Sequence, residues 1–470
     1  MSPLAAAARS TARPPRVDAT FAGECPVRGT RIGRRERHRQ RTRCLRAFQA
    51  LLVTGLLAAD AGAQEPPPVI TFSVDAVSDL PDDNAGNGVC HTSAGTCSLR
   101  AAVMEANRSS VVAAQIRILL PAGTYRLTRA PAGFNGDDNG DLNLTAPSAG
   151  QSITLIGASA ANTIIDANRI DRALRIEGGR VVTIAGVTIR NGFVTGESGG
   201  GIRMSSSTVS IEDSVVEENQ TANNGGGIHN GFSTLNIARS TIRSNRAGDT
   251  GGGLFVFGRT TIRDSTLSGN DAQEGGGIQN SDQVTLINST LSGNHAYGDG
   301  GGIYNSSETF LYNTTIADND ANHQSVMFGS GGGVFTQEGT RFVVFNSVIV
   351  GNTTHGSYAW DCSGSLEAYG RNFLGVVDAT RNCTVPNPFG WSVMGRSALG
   401  PLRDNGGATP THALLPGSPA IDATTIQGCV GPSDIALTTD QRGLPRGAGA
   451  DCDSGAFEFA AGTIFGSGFE

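Results

Sequence analysis

Residues 137–141 read Asp-Asp-Asn-Gly-Asp, which puts the oxygen-bearing side chains of Asp137, Asn139 and Asp141 at alternate positions. Hard cations such as calcium are held by oxygen ligands at that kind of spacing. The loop glycine and distal glutamate of an EF-hand are missing, so the expectation is weak calcium binding, set against a plain polar turn. No other cofactor is indicated. Gly196-Glu197-Ser198-Gly199-Gly200 matches a nucleophile-serine pattern in form. That chemistry needs a strand-turn-helix setting and a positioned histidine. Asn224, Thr250, Glu274, Asp299 and Ser330 fill the Ser198 slot in related stretches, so repetition accounts for the match. The histidines His91, His229, His295, His323, His355 and His412 are dispersed and form no metal pattern; His38 lies in the basic leader. Asp422, Asp440, Arg442 and Asp453 could serve a lyase, with metal-bound acids activating a uronate and arginine as base. The runs around them, "SPAID" and "SGAFE", read instead as final coil strands with turns. No lysine occurs, which excludes Schiff-base and lysine-base mechanisms.

The elements that must carry these residues repeat. Glycine triplets begin at Gly199, Gly225, Gly251, Gly275, Gly300 and Gly331, spaced by 26, 26, 24, 25 and 31 residues. Asn219, Asn245, Asn270, Asn294, Asn319 and Asn352 keep step with them, and so do Ser214, Ser240, Ser265, Ser289, Thr314 and Ser347 five residues earlier. Apolar residues fill the columns between, from Val216 to Ile349 and from Ile211 to Val344. Short β-branched runs alternating with period two and broken by Gly, Asn and Asp are strands and turns. A copy of about 25 residues cannot bury its apolar side alone and must stack, so the pattern predicts an all-β parallel solenoid. The asparagines are expected to form a structural ladder, each amide bonded to the one a coil above and each tolerating left-handed turn geometry. Glycine triplets mark corners where a Cβ would collide.

Each triplet is followed by an apolar residue and then by Arg203, His229, Phe255, Gln279, Tyr304 or Phe335. Alternation turns this last residue outward. The resulting stripe of aromatic, arginine and histidine groups could stack on sugar rings or grip a polymer; the plainer reading is a solvent-facing strand with scattered aromatics.

The chain has 470 residues, 65 of them glycine, with 16% charged residues and 6% aromatics. Twelve arginines fall in residues 1–46; from residue 64 onward 23 arginines face 38 acids, a net of −15. An acidic body argues against nucleic acid and anionic membrane surfaces. The basic stretch runs into an apolar segment near Ala47 to Ala59 and small residues to Ala63, which reads as a secretory signal, with no integral span expected in the mature chain. Cys25 and Cys44 would leave with it. Cys90, Cys97, Cys362, Cys383, Cys429 and Cys452 remain, an even number suited to an oxidising compartment, and pairing of sequence neighbours is the simplest of fifteen connectivities. Expected segments are a leader (1–63), an N-terminal cap with first coils (64–150), solenoid repeats (151–355), terminal coils with a closing module (356–458) and a short tail (459–470). Within the cap, "CSLRAAVMEANRSS" is helix-like, with Ser98 as N-cap and Leu99, Val103 and Met104 on one side, suited to covering the open end.

"TCSLRAAVMEAN" followed by "LLPAGTYRLT" resembles a bacterial N-terminal module named for its Cys-Ser-Leu-Arg-Glu-Ala motif, with Ala101 where Glu is usual. The "GGGI" and "STLSGN" copies resemble repeats of polymorphic outer-membrane proteins and other right-handed parallel β-helix proteins of pectin-lyase-like fold. "LGPLRDNGGATPTHALLPGSPAID", "DQRGLPR" and "CDSGAFEF" resemble the choice-of-anchor Q module. The resemblance implies a right-handed parallel β-helix with a short capping helix and a disulfide-braced C-terminal module, secreted or displayed at the surface of a Gram-negative bacterium. The long alternating strands of a membrane barrel are not found after Asn352, and "IFGSGFE" is no evident anchor. The leading expectation is a non-enzymatic, adhesin-like protein that meets a glycan or cell-surface ligand. The alternatives are a polysaccharide lyase or hydrolase and a structural envelope component. Because no cluster of acids with arginine stands out in the coils, the first is favoured.

Overall fold

The computed structural model describes residues 66–132, 136–145, 150–321, 329–354, 361–375, 383–385, 390–424, 428–447 and 451–460. The leader, His323, His355 and the "IFGSGFE" tail lie outside them. The chain divides into two compact units, Met1–Pro66 and Pro67–Glu470, and of the first only Pro66 is described.

The second unit is a right-handed parallel β-helix. Alternating apolar residues make short strands whose one buried side must meet another coil, and each strand pairs in parallel with its counterpart one coil away. The first sheet runs from Val69–Ser73 to Glu367–Tyr369, and the second from Gly123–Arg126 to Trp391–Val393. The third carries Leu142–Leu144 through Cys383–Thr384, and a narrow ribbon of two-residue strands runs from Phe193–Val194 to Thr353–Thr354. Register is strict: Ile202, Ile228, Leu254, Ile278, Ile303 and Val334 lie above one another. With Ile211, Ile237, Ile262, Leu286, Leu311 and Val344 they form one continuous buried core. Each such side chain contributes about 1.5–3 kcal/mol by leaving water.

Two polar columns hold the corners. Asn219, Asn245, Asn270, Asn294 and Asn319 each donate from Nδ2 to Oδ1 of the asparagine in the next coil, at 3.0, 3.0, 2.9, 2.8 and 2.8 Å. Each Nδ2 also reaches back to a carbonyl of the preceding coil, as Asn294 does to Leu267 at 3.0 Å. The same Oδ1 accepts the backbone N–H from below, so one amide joins three coils. The column ends where Asn352 donates to the Asp361 carboxylate at 2.8 Å. The asparagines do not take the left-handed conformation themselves. It falls one residue earlier, at Glu218, Ser244, Gly269, Gly293, Asp318 and Gly351, with φ between 53° and 71°. A residue whose side chain must stay in the buried column keeps out of the left-handed region, and the residue before it absorbs the turn. In the serine column Ser240 Oγ accepts the N–H of Ser214 at 3.1 Å and Ser265 Oγ that of Ser240 at 3.1 Å.

The helix Leu99–Arg108 begins on Ser98, whose hydroxyl accepts the Ala101 N–H at 3.0 Å. Its Leu99, Ala102, Val103 and Ala106 join the coil core and cover its first turn. Arg100 is buried and paired with Asp79 at 2.6 Å. Cysteines pair as sequence neighbours: Cys90–Cys97, Cys362–Cys383 and Cys429–Cys452.

The end of the chain differs from expectation. Coil strands stop at Trp391–Val393; "SPAID" and "SGAFE" lie in turns rather than in coil strands, and Leu399–Arg403 pairs with Thr411–Leu414 as an antiparallel hairpin. The segment folds back along the outside of the second sheet. Its outward threonines receive it: Thr266 donates to the Pro410 carbonyl at 2.6 Å, Thr290 to Gln441 at 2.6 Å, and Thr315 accepts the Ala456 N–H at 3.0 Å. Gly- and Pro-rich sequence without alternation supplies polar backbone for those hydroxyls and no apolar face for another coil.

On the ribbon, charges alternate up the stack. Arg246 and Asp271 lie 3.3 Å apart, His295 Nδ1 is 3.1 Å from Asp271, and its Nε2 is 3.7 Å from Asp320.

Asn294→Ala is expected to strand two buried N–H donors of Asn270 and to lower unfolding stability by about 2–4 kcal/mol, read by denaturant titration. The hydrogen bond to Asp271, with further help from the charges of Asp271 and Asp320, holds the His295 pKa above its usual 6.5 despite burial. The stabilisation is therefore full below that value and lost as pH rises through the folded pKa. The difference in unfolding stability between wild type and His295→Gln should accordingly shrink on raising pH.

Candidate functional site

The third sheet stacks Arg203, His229, Phe255, Gln279, Tyr304 and Phe335 in a single outward column. It is more covered than alternation alone predicts: Gln279 and Tyr304 are buried, and the other four are partly buried. Neighbouring rings cover one another, because coils rise by about 4.8 Å, little more than the thickness of one ring. His229 stacks on Phe255 with centroids 5.0 Å apart and planes 6° apart; Tyr304 and Phe335 lie at 4.8 Å. Burial, with Arg203 and Arg172 adding, brings the His229 pKa down to about 4, so it enters the stack as a neutral ring at neutral pH. Tyr304 Oη accepts from Gln337 Nε2 at 2.7 Å. Beside Phe255 the column position two residues on is Phe257, which meets Phe232 edge-to-face at 4.7 Å. Phe232 is 72% and Phe257 41% exposed, and Phe232 sits at a corner with φ 57°, a conformation a bulky residue rarely takes. Four rings therefore gather on one outer face, two of them open to solvent. Phe232 and Phe257 were not among the sequence candidates; Phe257 was legible as the next outward residue of its strand, Phe232 only from the corner geometry.

The columns also bring together what the sequence keeps apart. Asp141, Arg172, Arg175, Glu177, Glu197 and Arg203 form one ionic cluster where the cap meets the coils, correcting the expectation that acids and arginines do not gather there. Arg172 Nε lies 2.9 Å from Asp141 Oδ2, at ion-pair distance without hydrogen-bond alignment, and Arg175 Nε lies 3.1 Å from the same oxygen. Three guanidiniums converge on Glu197 Oε2: Arg172 at 2.7, Arg175 at 3.2 and Arg203 at 2.9 Å. Arg203 also faces Glu177 at 3.7 Å. Burial raises the Asp141 pKa despite both arginines and lowers that of Arg172, so desolvation outweighs pairing for each. Burial pushes Glu197 the same way as Asp141, but Arg172, Arg175 and Arg203 outweigh it and hold its carboxyl below the usual range. Asp141, Arg172, Arg175 and Glu197 line a cleft of about 290 Å³ whose other walls include Pro131, Ile170 and Phe193.

The trio Asp137, Asn139 and Asp141 is drawn to separate partners. Asp137 takes both terminal nitrogens of Arg108 at 2.7 and 3.0 Å, Asn139 Oδ1 accepts the Ala132 N–H, and Asp141 belongs to the arginine cluster. Cations already on the chain occupy the carboxylates, and no group of three metal-binding side chains is found among the described residues. Near the C-terminus Asp440 pairs with Arg442 at 2.7 Å and Glu458 with Arg446 at 3.3 Å, with all four side chains buried. Asp453 accepts the backbone N–H of Asp422 and Phe459, yet burial pushes it up to about 7. These groups brace the folded-back segment. The sequence reading also missed an interior polar column, where Asn280 donates to Asn305 Oδ1 at 3.0 Å and Asn305 to Thr336 at 3.1 Å.

No family model matches the chain, so neither the cap nor the C-terminal resemblance is recovered as membership. No curated protein matches it either. Among solved structures it is similar to the crystal structure of the pectate lyase Pel9A, with 14% identity and a TM-score of 0.46 over 85% of this chain and 98% of that one. A likeness that distant does not bear on chemistry.

Arg172→Gln is expected to leave the buried Asp141 carboxylate short of a partner and to cost about 3–5 kcal/mol at neutral pH. Because the folded Asp141 pKa lies above its unfolded value, the folded state binds the extra proton and stability rises as pH falls. The deficit of the variant against wild type should therefore narrow in acid, as followed by thermal melting across pH.

Proposed function

We propose that this chain is an exported β-helix protein that contacts a glycan through the outer face of its third sheet and does not cleave it. The observation that carries this reading is the gathering of His229, Phe255, Phe257 and Phe232 beside Arg203, with Phe232 and Phe257 open to solvent. Aromatic faces and edges bury large apolar area at fixed geometry, and sugar rings present matching C–H faces. Contiguous exposed apolar surface, unlike scattered single residues, marks contact surfaces. Export is supported by the leader-like stretch of residues 1–63 and by three disulfides, which persist in oxidising compartments. Display on a Gram-negative cell surface is part of the same proposal.

Residues 64–470, with disulfides formed, are expected to bind at least one polymer in a panel of neutral and acidic polysaccharides without shortening it. Phe255→Ala combined with Phe257→Ala should weaken that binding by about tenfold or more, since each aromatic contact contributes of order 1 kcal/mol. Unchanged binding would remove the face from consideration, and release of shorter chains would replace the reading with that of a lyase or hydrolase.

A further inference from the structure

We propose that Glu197 fills, from within the chain, an oxyanion site that an acidic group of the bound glycan, a uronate carboxylate or a sulfate ester, takes in its place. This deepens the glycan-contact reading and rests on it for the polymer.

Three donors on three separate residues meet at one oxygen, Glu197 Oε2. The residue that supplies it stands on the loop before a glycine triplet, and its side chain is 41% exposed. The cradle does not depend on Glu197 to exist. Arg172 and Arg175 are both held by Asp141, Arg203 has Glu177, and Arg172 is almost wholly buried with its second terminal nitrogen on the Ser198 carbonyl at 3.3 Å. If the loop carboxylate swings out, the guanidiniums stay where they are. Guanidinium forks suit carboxylate and ester oxyanions.

The place also suits a sugar. The cradle opens on the cleft walled by Pro131, Ile170 and Phe193, while Arg175 and Arg203 lie in the outward column that continues with His229 and Phe255. In the later coils the Glu197 slot is Asn223, Asp249 and Gln273, and the outward column has moved to His229, Phe255 and Gln279. The arginines are thus confined to the cap end, where they would fix one end of a chain lying along the rings.

Binding here exchanges one anion for another. The count of charges is unchanged, so weak salt dependence is expected, and the affinity comes from ring contacts. The internal carboxylate competes at high effective concentration, so the apparent affinity of the free protein is lowered by the fraction of time the cradle is empty.

Glu197→Gln keeps the shape and removes the competitor. We expect it to bind oligogalacturonate or sulfated oligogalactan at least tenfold more tightly than wild type, with binding of uncharged oligogalactan unchanged. A gain for the first assigns the oxyanion to a carboxylate, and a gain for the second to a sulfate ester. The cradle is tested apart from any polymer by melting the same variant with millimolar free glucuronate or inorganic sulfate. A rise in Tm for Glu197→Gln, absent in wild type and lost again in Glu197→Gln/Arg203→Gln, supports the site even if no polymer binds. No Tm response to either anion, together with an unaltered preference between charged and uncharged oligomers, overturns it. Retained melting cooperativity in both variants verifies that they fold.

Discussion

Every coil must turn its corners without leaving a buried backbone N–H unpaired, and the amide column answers that demand at one of them. It works only because a second column yields space to it. A Cβ built on the third glycine of each triplet would lie 2.8–3.3 Å from the ladder asparagine of its own coil, at Gly201, Gly227, Gly253, Gly277, Gly302 and Gly333. The middle glycine faces a carbonyl of a neighbouring strand at less than contact distance from any added carbon, and the first takes positive φ, as Gly251 does at 71°. The sequence repeats itself because each amide needs both a twin above and an absent side chain beside it.

That coupling explains how much of the fold was legible. Columns such as Ile211 to Val344 and Asn219 to Asn352 fix coil number, strand order and register once stacking is assumed, and Ser98 and Leu99 announce the helix. Legibility failed where a residue acts alone. The left-handed position holds Glu, Ser, Gly, Gly, Asp and Gly from Glu218 to Gly351, types too varied to read as one column. The folded-back C-terminal segment has no period at all, and its partners Thr266, Thr290 and Thr315 read as ordinary strand residues.

The site was less legible for a related reason. Repetition locates what every coil shares, whereas Asp141, Arg172 and Glu197 come from places where the repeat is just beginning. Nothing in their spacing joins them; the coil rise does. The outer stripe was visible residue by residue, but its coverage was not, since whether Tyr304 is open depends on Phe335 and Gln337 above it. A β-helix thus writes its scaffold in columns and its surface chemistry in the departures from them.

The amide column also has a direction. Between amides every Nδ2 donates toward the C-terminal end, so the dipoles of the six amides add and leave a positive pole facing Asp361, whose carboxylate can accept but hand nothing on. At the other end Gly192 offers a backbone N–H to Asn219 and has no side chain to continue the chain of donors. The column is therefore a polar filament with a defined start and stop, in the way a helix is with an anion at its positive end. A whole coil can be inserted or deleted between those two residues without disturbing either terminus of the column, while the coils beyond them, up to Thr188–Arg190 on one side and from Glu367–Tyr369 on the other, stack without it. Duplication within the gene can lengthen this protein in its middle while conserving both of its ends.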